Sequence, residues 1–223
     1  MKPSSVFEVY EKSKGKRRFI YTINLAPGHK VYDEDIIVEK GIEYRNWNPR
    51  RSKIAASIIK GCPNIGIRKN NVILYLGCAT GTTVSHVSDI VGKDGFVFAL
   101  DFAPRVVRSI IHVCEQRKNI APILADANHP EDYTDKVSLV DVIFQDVAQR
   151  NQVEIFLKNI KSFLKQDGYA LLALKARSVD VTKRPWEVFK QVRVELEKHL
   201  RIVEMRDLKP FEMDHALFIC KLK

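Results

Sequence analysis

"NVILYLGCATGTTVSHVSDI", residues 71–90, decides the fold. The apolar run from Val72 to Leu76 has the length and continuous hydrophobicity of a strand buried on both faces of a parallel sheet. It breaks at Gly77, and after Gly81 the chain resumes with helix-like spacing from Thr82. Glycines at such a join let the backbone turn sharply and approach a ligand closely. The spacing argues against two ways of gripping a phosphate. Counted from Gly77, the dinucleotide pattern G-x-G-x-x-G falls on Ala79 and Thr82, and no Gly-Lys-Ser/Thr follows to complete a P-loop. On their own, the two glycines are equally compatible with a plain strand-to-helix turn.

Downstream, the same pattern repeats. "GFVFALD" (95–101), "APILADA" (121–127), "LVDVIFQD" (139–146) and "GYALLALKA" (168–176) are further strand-like runs. Helix-like segments separate them, at 82–92, 103–119 and 149–168, the last predicted to stop at Asp167-Gly168. A long helix over 184–200 precedes two closing strands at 201–208 and 215–223. Alternating strands and helices predict an α/β, doubly wound sheet with its ligand outside the carboxyl ends of the strands. Upstream, "SVFEVYEK" (5–12) and "RRFIYTIN" (17–24) read as a β-hairpin, and 29–47 as further short strands with a break at Gly41. A short helix follows, with Ser52 as its N-cap and Gly61 as its stop. The expected organisation is a small, mostly β unit over residues 1–60 and a larger α/β unit over 61–223.

Acidic residues give the glycine turn its context. Asp101 ends the second strand, 24 residues beyond Gly77, where a carboxylate can accept both hydroxyls of a ribose. Asp126 ends the third and could meet an adenine amino group, and Asp146 ends the fourth. Singly, each could be a turn or cap residue. As a set on one sheet edge without a phosphate grip, they suit a ligand with a ribose and a cationic, phosphate-free end. S-adenosylmethionine fits that description; NAD and ATP do not.

The totals are those of a soluble protein with a basic balance. Thirty-seven Lys and Arg against 27 Asp and Glu give a net charge of +10, and +6 of it lies in residues 1–60, with 13 basic and 7 acidic side chains. That concentration would attract a phosphate backbone, although a merely solvated basic surface fits equally well. The four cysteines lack metal-like spacing, so no metal site is expected and reduced thiols are. The N-terminus lacks the apolar core of a signal peptide and no run is long enough to span a bilayer, so a cytoplasmic protein is expected.

"YLGCATGTTVSHVSDIVGKDGFVFALDF", "ADANHP", "VDVIFQDVAQ", "ALKARS", "DHALFICK" and, upstream, "YRNWNPRRSKIAA" together resemble the fibrillarin family in its archaeal form. The resemblance covers essentially the whole chain. It implies a Rossmann-like, S-adenosylmethionine-dependent methyltransferase sheet with a small N-terminal mostly-β domain. It also implies ribose 2′-O-methylation of rRNA and tRNA inside a box C/D ribonucleoprotein. There a guide RNA selects the nucleotide, beside a Nop-family scaffold protein and a kink-turn-binding ribosomal-type protein. Cys78 and Thr80 stand where many relatives carry other small residues, and Asp101 where eukaryotic members usually carry Glu. No glycine/arginine-rich tail of the nucleolar form is present.

Carried over by motif, Gly77 and Gly81 would belong to the cofactor-binding turn, and Thr82 and Thr83 would help hold the methionine part of the cofactor. Asp101 and Phe102 would bind the ribose and flank the adenine, and Asp126 and Ala127 would contact the base. Asp146, Val147, Ala148 and Gln149 would close the pocket beside the sulfonium. The resemblance further implies a catalytic tetrad of Lys53, Asp146, Lys175 and His215. Lys175 is expected at its centre, close to the 2′-oxygen and helped by Asp146, either as base or as electrostatic stabiliser. Of the four, Lys175 stands out in the sequence itself, because it interrupts an apolar strand near its end. Lys53 lies beside Arg50 and Arg51, where a phosphate contact or a solvated face would also account for it. His215 would otherwise read as structural. Arg50, Arg51, Lys183 and Arg184 are expected to contact the RNA backbone, with solvated loops as the alternative. Two other readings stay open on the residues alone: a stand-alone methyltransferase for a small molecule or protein, and a non-catalytic scaffold that keeps the fold.

Overall fold

The computed structural model describes residues 1–223. Near the N-terminus, β1 (Lys2–Pro3), β2 (Tyr10–Lys14), β3 (Arg17–Ile23), β4 (Ile36–Glu39) and β5 (Ile42–Asn46) form an antiparallel sheet in the order β1-β2-β3-β5-β4. Two-residue turns close the β2–β3 and β4–β5 hairpins. Between β4 and β5, Lys40 and Gly41 both have positive φ, 53° and 77°, which matches the twist of the flanking strands. The first hairpin starts later than the sequence predicts. Residues 5–8 form a turn in which Glu8 has φ 56°, and the strand begins only at Tyr10.

α1 (Lys53–Ile59) follows, and the Ser52 side chain caps it by accepting from the Ala55 N–H. The large sheet comprises β6 (Val72–Leu76), β7 (Phe96–Asp101), β8 (Ile120–Leu124), β9 (Val140–Gln145), β10 (Leu164–Lys175), β11 (Leu200–Asp207) and β12 (His215–Leu222). Its order is β11-β12-β10-β9-β6-β7-β8, with β12 antiparallel to both neighbours. The helices are α2 (Thr82–Val91), α3 (Pro104–Gln116), α4 (Gln152–Phe163), α5 (Ala176–Val179) and α6 (Pro185–His199). Strand order reverses between β6 and β9, so the loops after these two strands flank the crevice where such sheets bind ligands.

Both faces of the sheet are buried because both side-chain sets of each strand are apolar. On β6, Ile73 and Tyr75 enter one core cluster, with α1, α2 and the N-terminal sheet, while Leu74 and Leu76 enter the other, with α4 and α6. Helix α4 ends at Phe163, several residues before the predicted stop. Gly168 lies inside β10, and its role is close approach: an added Cβ would sit 2.6 Å from the Leu164 side chain and 2.9 Å from the Asp141 carbonyl oxygen.

A buried polar network stitches the small sheet to α2 and α3. Arg45 pairs with Glu34 at 2.7 Å and with Asp89 at 2.9 Å, and Arg117 pairs with the same Asp89. Two cations and two anions balance, which makes burial tolerable, whereas removing one partner would strand a charge. No helix is long and apolar enough to cross a membrane.

Candidate active site

The glycine turn is held from two sides. The N–H groups of Gly77 and Cys78 both donate to the Leu100 carbonyl, at 2.9 and 3.1 Å, fixing the turn to the end of β7. The Asp146 N–H donates to the Leu76 carbonyl at 2.8 Å, fixing the loop after β9 to the end of β6. Gly77 itself has φ 82°, and a Cβ there would lie 2.5 Å from the Asp146 carbonyl oxygen. The turn therefore requires glycine both for its conformation and for the room it leaves.

The Asp101 carboxylate is almost buried and organises the loops around it, accepting from Ala79 N–H at 3.2 Å and Ala103 N–H at 3.1 Å. Asp126, two residues past the end of β8 rather than in the strand, accepts the main-chain and side-chain N–H groups of Asn128, both at 2.9 Å. These bonds hold its carboxyl below the usual range. Asn128 then reaches across to donate to Gln149 at 2.9 Å, joining the loops after β8 and β9.

Between these loops lies a cavity of about 370 Å³ lined by Gly77, Ala79, Leu100, Asp101, Phe102, Asp126, Ala127, Asp146, Val147, Ala148 and Gln149. Gly81, Thr82 and Thr83, expected to share in cofactor binding, are not in this lining. Gly81 is pressed against α3, where a Cβ would meet Val113 at 3.1 Å and Ile110 at 3.4 Å. Thr83 is buried and lies beside the Tyr75 hydroxyl. Phe102 stands at the rim, 65% exposed.

Asp146 belongs to a second group as well. Its carboxylate pairs with Lys53 Nζ at 3.0 Å, both side chains being largely buried. Burial works against the Lys53 ammonium, but the Asp146 carboxylate outweighs it and Glu212 adds to it, so the Lys53 pKa stands above its ordinary value. His215 opens β12 directly opposite Lys175 on β10. Its Nδ1 lies 2.6 Å from the Met213 carbonyl, which can only accept, so the proton belongs on Nδ1 and Nε2 is the free nitrogen. Burial lowers the His215 pKa, the Met213 bond opposes that, and Lys53 lowers it further. The imidazole is therefore neutral at pH 7. Asp146 gives its ion pair to Lys53, across 93 residues of chain, rather than to Lys175.

Lys175 is positioned through its backbone. Its N–H donates to Gln152 Oε1 at 3.1 Å and its carbonyl accepts from Gln152 Nε2 at 3.2 Å. The same Nε2 donates to the Gln149 carbonyl at 3.0 Å. Fully buried Gln152 thus clamps the end of β10 to the cavity-lining loop. Ala79, Leu100, Asn128, Gln152 and Glu212 escape the sequence reading. Only Gln152 carries a local signal, three residues after Gln149 at the start of a helix.

The four residues expected to contact RNA differ in their surroundings. Arg51 pairs with Asp33 at 2.9 Å and its guanidinium lies 5.7 Å from the Tyr32 ring centre. Lys183 pairs with Asp180 at 3.4 Å, while Arg50 and Arg184 are exposed, Arg184 at the N-cap of α6.

A fibrillarin family model matches residues 1–223 of this chain. A fibrillarin-like rRNA/tRNA 2′-O-methyltransferase of Thermococcus sibiricus is 49% identical over 216 residues, 97% of this chain and 95% of that protein. Among solved structures, Aeropyrum pernix fibrillarin in complex with natively bound S-adenosyl-L-methionine superposes with a TM-score of 0.90 at 43% identity. That match covers 98% of this chain and 96% of the other. A fibrillarin/Nop5p complex gives a TM-score of 0.87 at 37% identity, covering 98% of this chain and 99% of the matched one.

Proposed function

The chain belongs to the fibrillarin family, and on that premise we propose that it methylates ribose 2′-hydroxyls of rRNA and tRNA with S-adenosylmethionine, at nucleotides chosen by a box C/D guide RNA. The particle would be cytoplasmic and would include a Nop-family scaffold protein, as the fibrillarin/Nop5p complex suggests, and a kink-turn-binding ribosomal-type protein. Residues 1–60 form the unit that presents Arg50, Arg51 and Lys53, and residues 61–223 the unit that binds the cofactor.

One observation carries this reading: Asp146 both lines the cavity and pairs with Lys53, so the ligand pocket and the cationic group meet at a single side chain. The cavity suits the cofactor chemically. Asp101 and Asp126 offer acceptors for ribose hydroxyls and an adenine amino group, Val147 and Ala148 offer apolar contact, and no lysine in the lining grips a phosphate. When bound there, S-adenosylmethionine supplies a methyl group activated by its sulfonium.

The chain's own residues then serve the incoming hydroxyl. Methyl transfer is an in-line displacement, so fixed alignment of the oxygen contributes much of the rate. Lys53, held by Asp146, and neutral His215 orient the ribose. Lys175 faces the 2′-oxygen and supports the negative charge that develops there as the hydroxyl proton passes to the free Nε2 of neutral His215 or to water. Basic side chains at Arg50, Arg51, Lys183 and Arg184 position the RNA backbone without reading its sequence, which is left to base pairing.

Substituting Lys175 by Ala tests the assignment in single-turnover assays with labelled methyl donor. We expect no detectable transfer, with cofactor affinity within about threefold of wild type, because Lys175 does not line the cavity. Turnover at the wild-type rate would remove Lys175 from the mechanism.

A further inference from the structure

The segment that follows Lys175 holds an exposed aromatic side chain that no step above uses. Residues 175–190, "KARSVDVTKRPWEVFK", carry five basic and two acidic side chains. Within it Trp186 is 55% exposed and Val181 67% exposed. The other tryptophan of the chain, Trp47, is fully buried against His86. An indole with more than half of its surface left in water beside cations contributes less to folding than a buried one.

Topology places it on the ligand edge. β10 ends at Lys175, and α6 begins at Pro185 and runs back along the sheet, so its first turn lies at the same edge as the cavity. The connecting segment is tied to that edge. Arg177 Nε meets the Asp214 carboxylate at 3.3 Å, next to His215, while Arg177 Nη1 donates to the Val181 carbonyl at 3.0 Å. Lys190 Nζ lies 5.6 Å from the Trp186 ring centre, a cation–π contact that orients the indole. Arg184 stands two residues before it, with its N–H engaged by Glu187 and its guanidinium paired with no carboxylate.

We propose that Trp186 is a stacking platform for an unpaired or end-stacked base of the RNA strand that enters the site, with Arg184 and Lys190 beside it for the flanking phosphates. The proposal rests on the reading of the chain as an RNA methyltransferase and adds a base contact to it. Single-stranded nucleic acid is held in this way elsewhere, by aromatic faces interleaved with cations, without dependence on sequence. That tolerance suits an enzyme whose targets are chosen by a guide. A protein partner would find at this surface a net positive charge and only scattered apolar groups, which favours RNA as the occupant.

The test compares wild type, Trp186→Ala and Trp186→Phe in the assembled particle with guide, target RNA and labelled methyl donor. Loss of one stacked base should raise the KM for target RNA about tenfold, with kcat and cofactor affinity within twofold, and Phe should restore most of the loss. In the full-length chain alone, target RNA should quench tryptophan emission in the wild type but not in Trp186→Phe, where only buried Trp47 emits. Unchanged KM in Trp186→Ala would overturn the proposal and leave the methyltransferase reading intact. So would weakened capture of the scaffold protein with RNA affinity preserved, which would make this a protein-docking surface. Failure of the wild type to methylate RNA would overturn the methyltransferase reading first, and this proposal with it.

Discussion

Gly77 carries two constraints that can be separated by experiment. Its φ of 82° strains any L side chain, and its missing Cβ admits the Asp146 carbonyl. Gly15 has a positive φ of 59° with nothing within 4 Å of its would-be Cβ. Alanine at either position costs about 1 kcal/mol or more in backbone strain. Only Gly77→Ala also pushes on the loop after β9. We expect both variants to lower the melting temperature, and only Gly77→Ala to weaken cofactor binding, by about tenfold or more. Equal cofactor affinities by calorimetry would contradict the geometry. The acidic residues of this turn were legible because each sits near the end of a recognisable strand. The Lys53–Asp146 ion pair was not legible as such, since nothing local links two positions on different units.

Between elements, Gln152 is the link that joins the end of β10 at Lys175 to the cavity-lining loop. Methionine in its place keeps the volume but removes every side-chain bond to Lys175 and Gln149. Buried main-chain groups left without partners cost about 1–3 kcal/mol, and a displacement of about 1 Å at a reacting group can cost on the order of 100-fold. Gln152→Met should therefore slow single-turnover methyl transfer about 10- to 100-fold while cofactor affinity stays within about threefold. Ile160→Ala, in the core of the same helix, should lower stability without changing the rate of the folded enzyme. Equal rates in the two variants would deny Gln152 its positioning role. Most elements were legible from apolar runs and their glycine boundaries. Several boundaries shifted through packing and turns that spacing does not report: α4 ends before Gly168, which lies inside β10 in close approach to β9, β8 ends before Asp126, and the first hairpin starts late, after a tight turn at residues 5–8.

At the scale of the molecule, the buried network between the two sheets makes stability depend on pH. His86 is fully buried, 2.7 Å from Thr22 Oγ1, 2.8 Å from the Tyr32 hydroxyl and 4.0 Å from Asp89, with Arg45 and Arg117 nearby. Burial, and then the two arginines, hold its pKa well below the ordinary histidine value. Below about pH 6.5 the unfolded chain takes up a proton that the folded chain refuses. Stability is thus complete above that pH and falls as pH drops toward the folded-state pKa, by up to about 1.4 kcal/mol per pH unit for this group. His215, also lowered, contributes with the same sign. Denaturant midpoints should fall between pH 7 and pH 5.5, and the fall should shrink in His86→Gln. A midpoint independent of pH would mean that His86 is protonated in place.

We propose delivery of a methyl group to a ribose 2′-oxygen by one cavity and one cationic cluster, joined at Asp146. Its most direct test is reconstitution of the chain with scaffold proteins, a guide RNA and a labelled methyl donor, followed by mapping of the label on the target. Label is expected at the 2′-oxygen of the nucleotide the guide specifies, moving when the guide is changed and absent in Lys175→Ala. Label on a base or on protein, or a wild-type rate in Lys175→Ala, would contradict it.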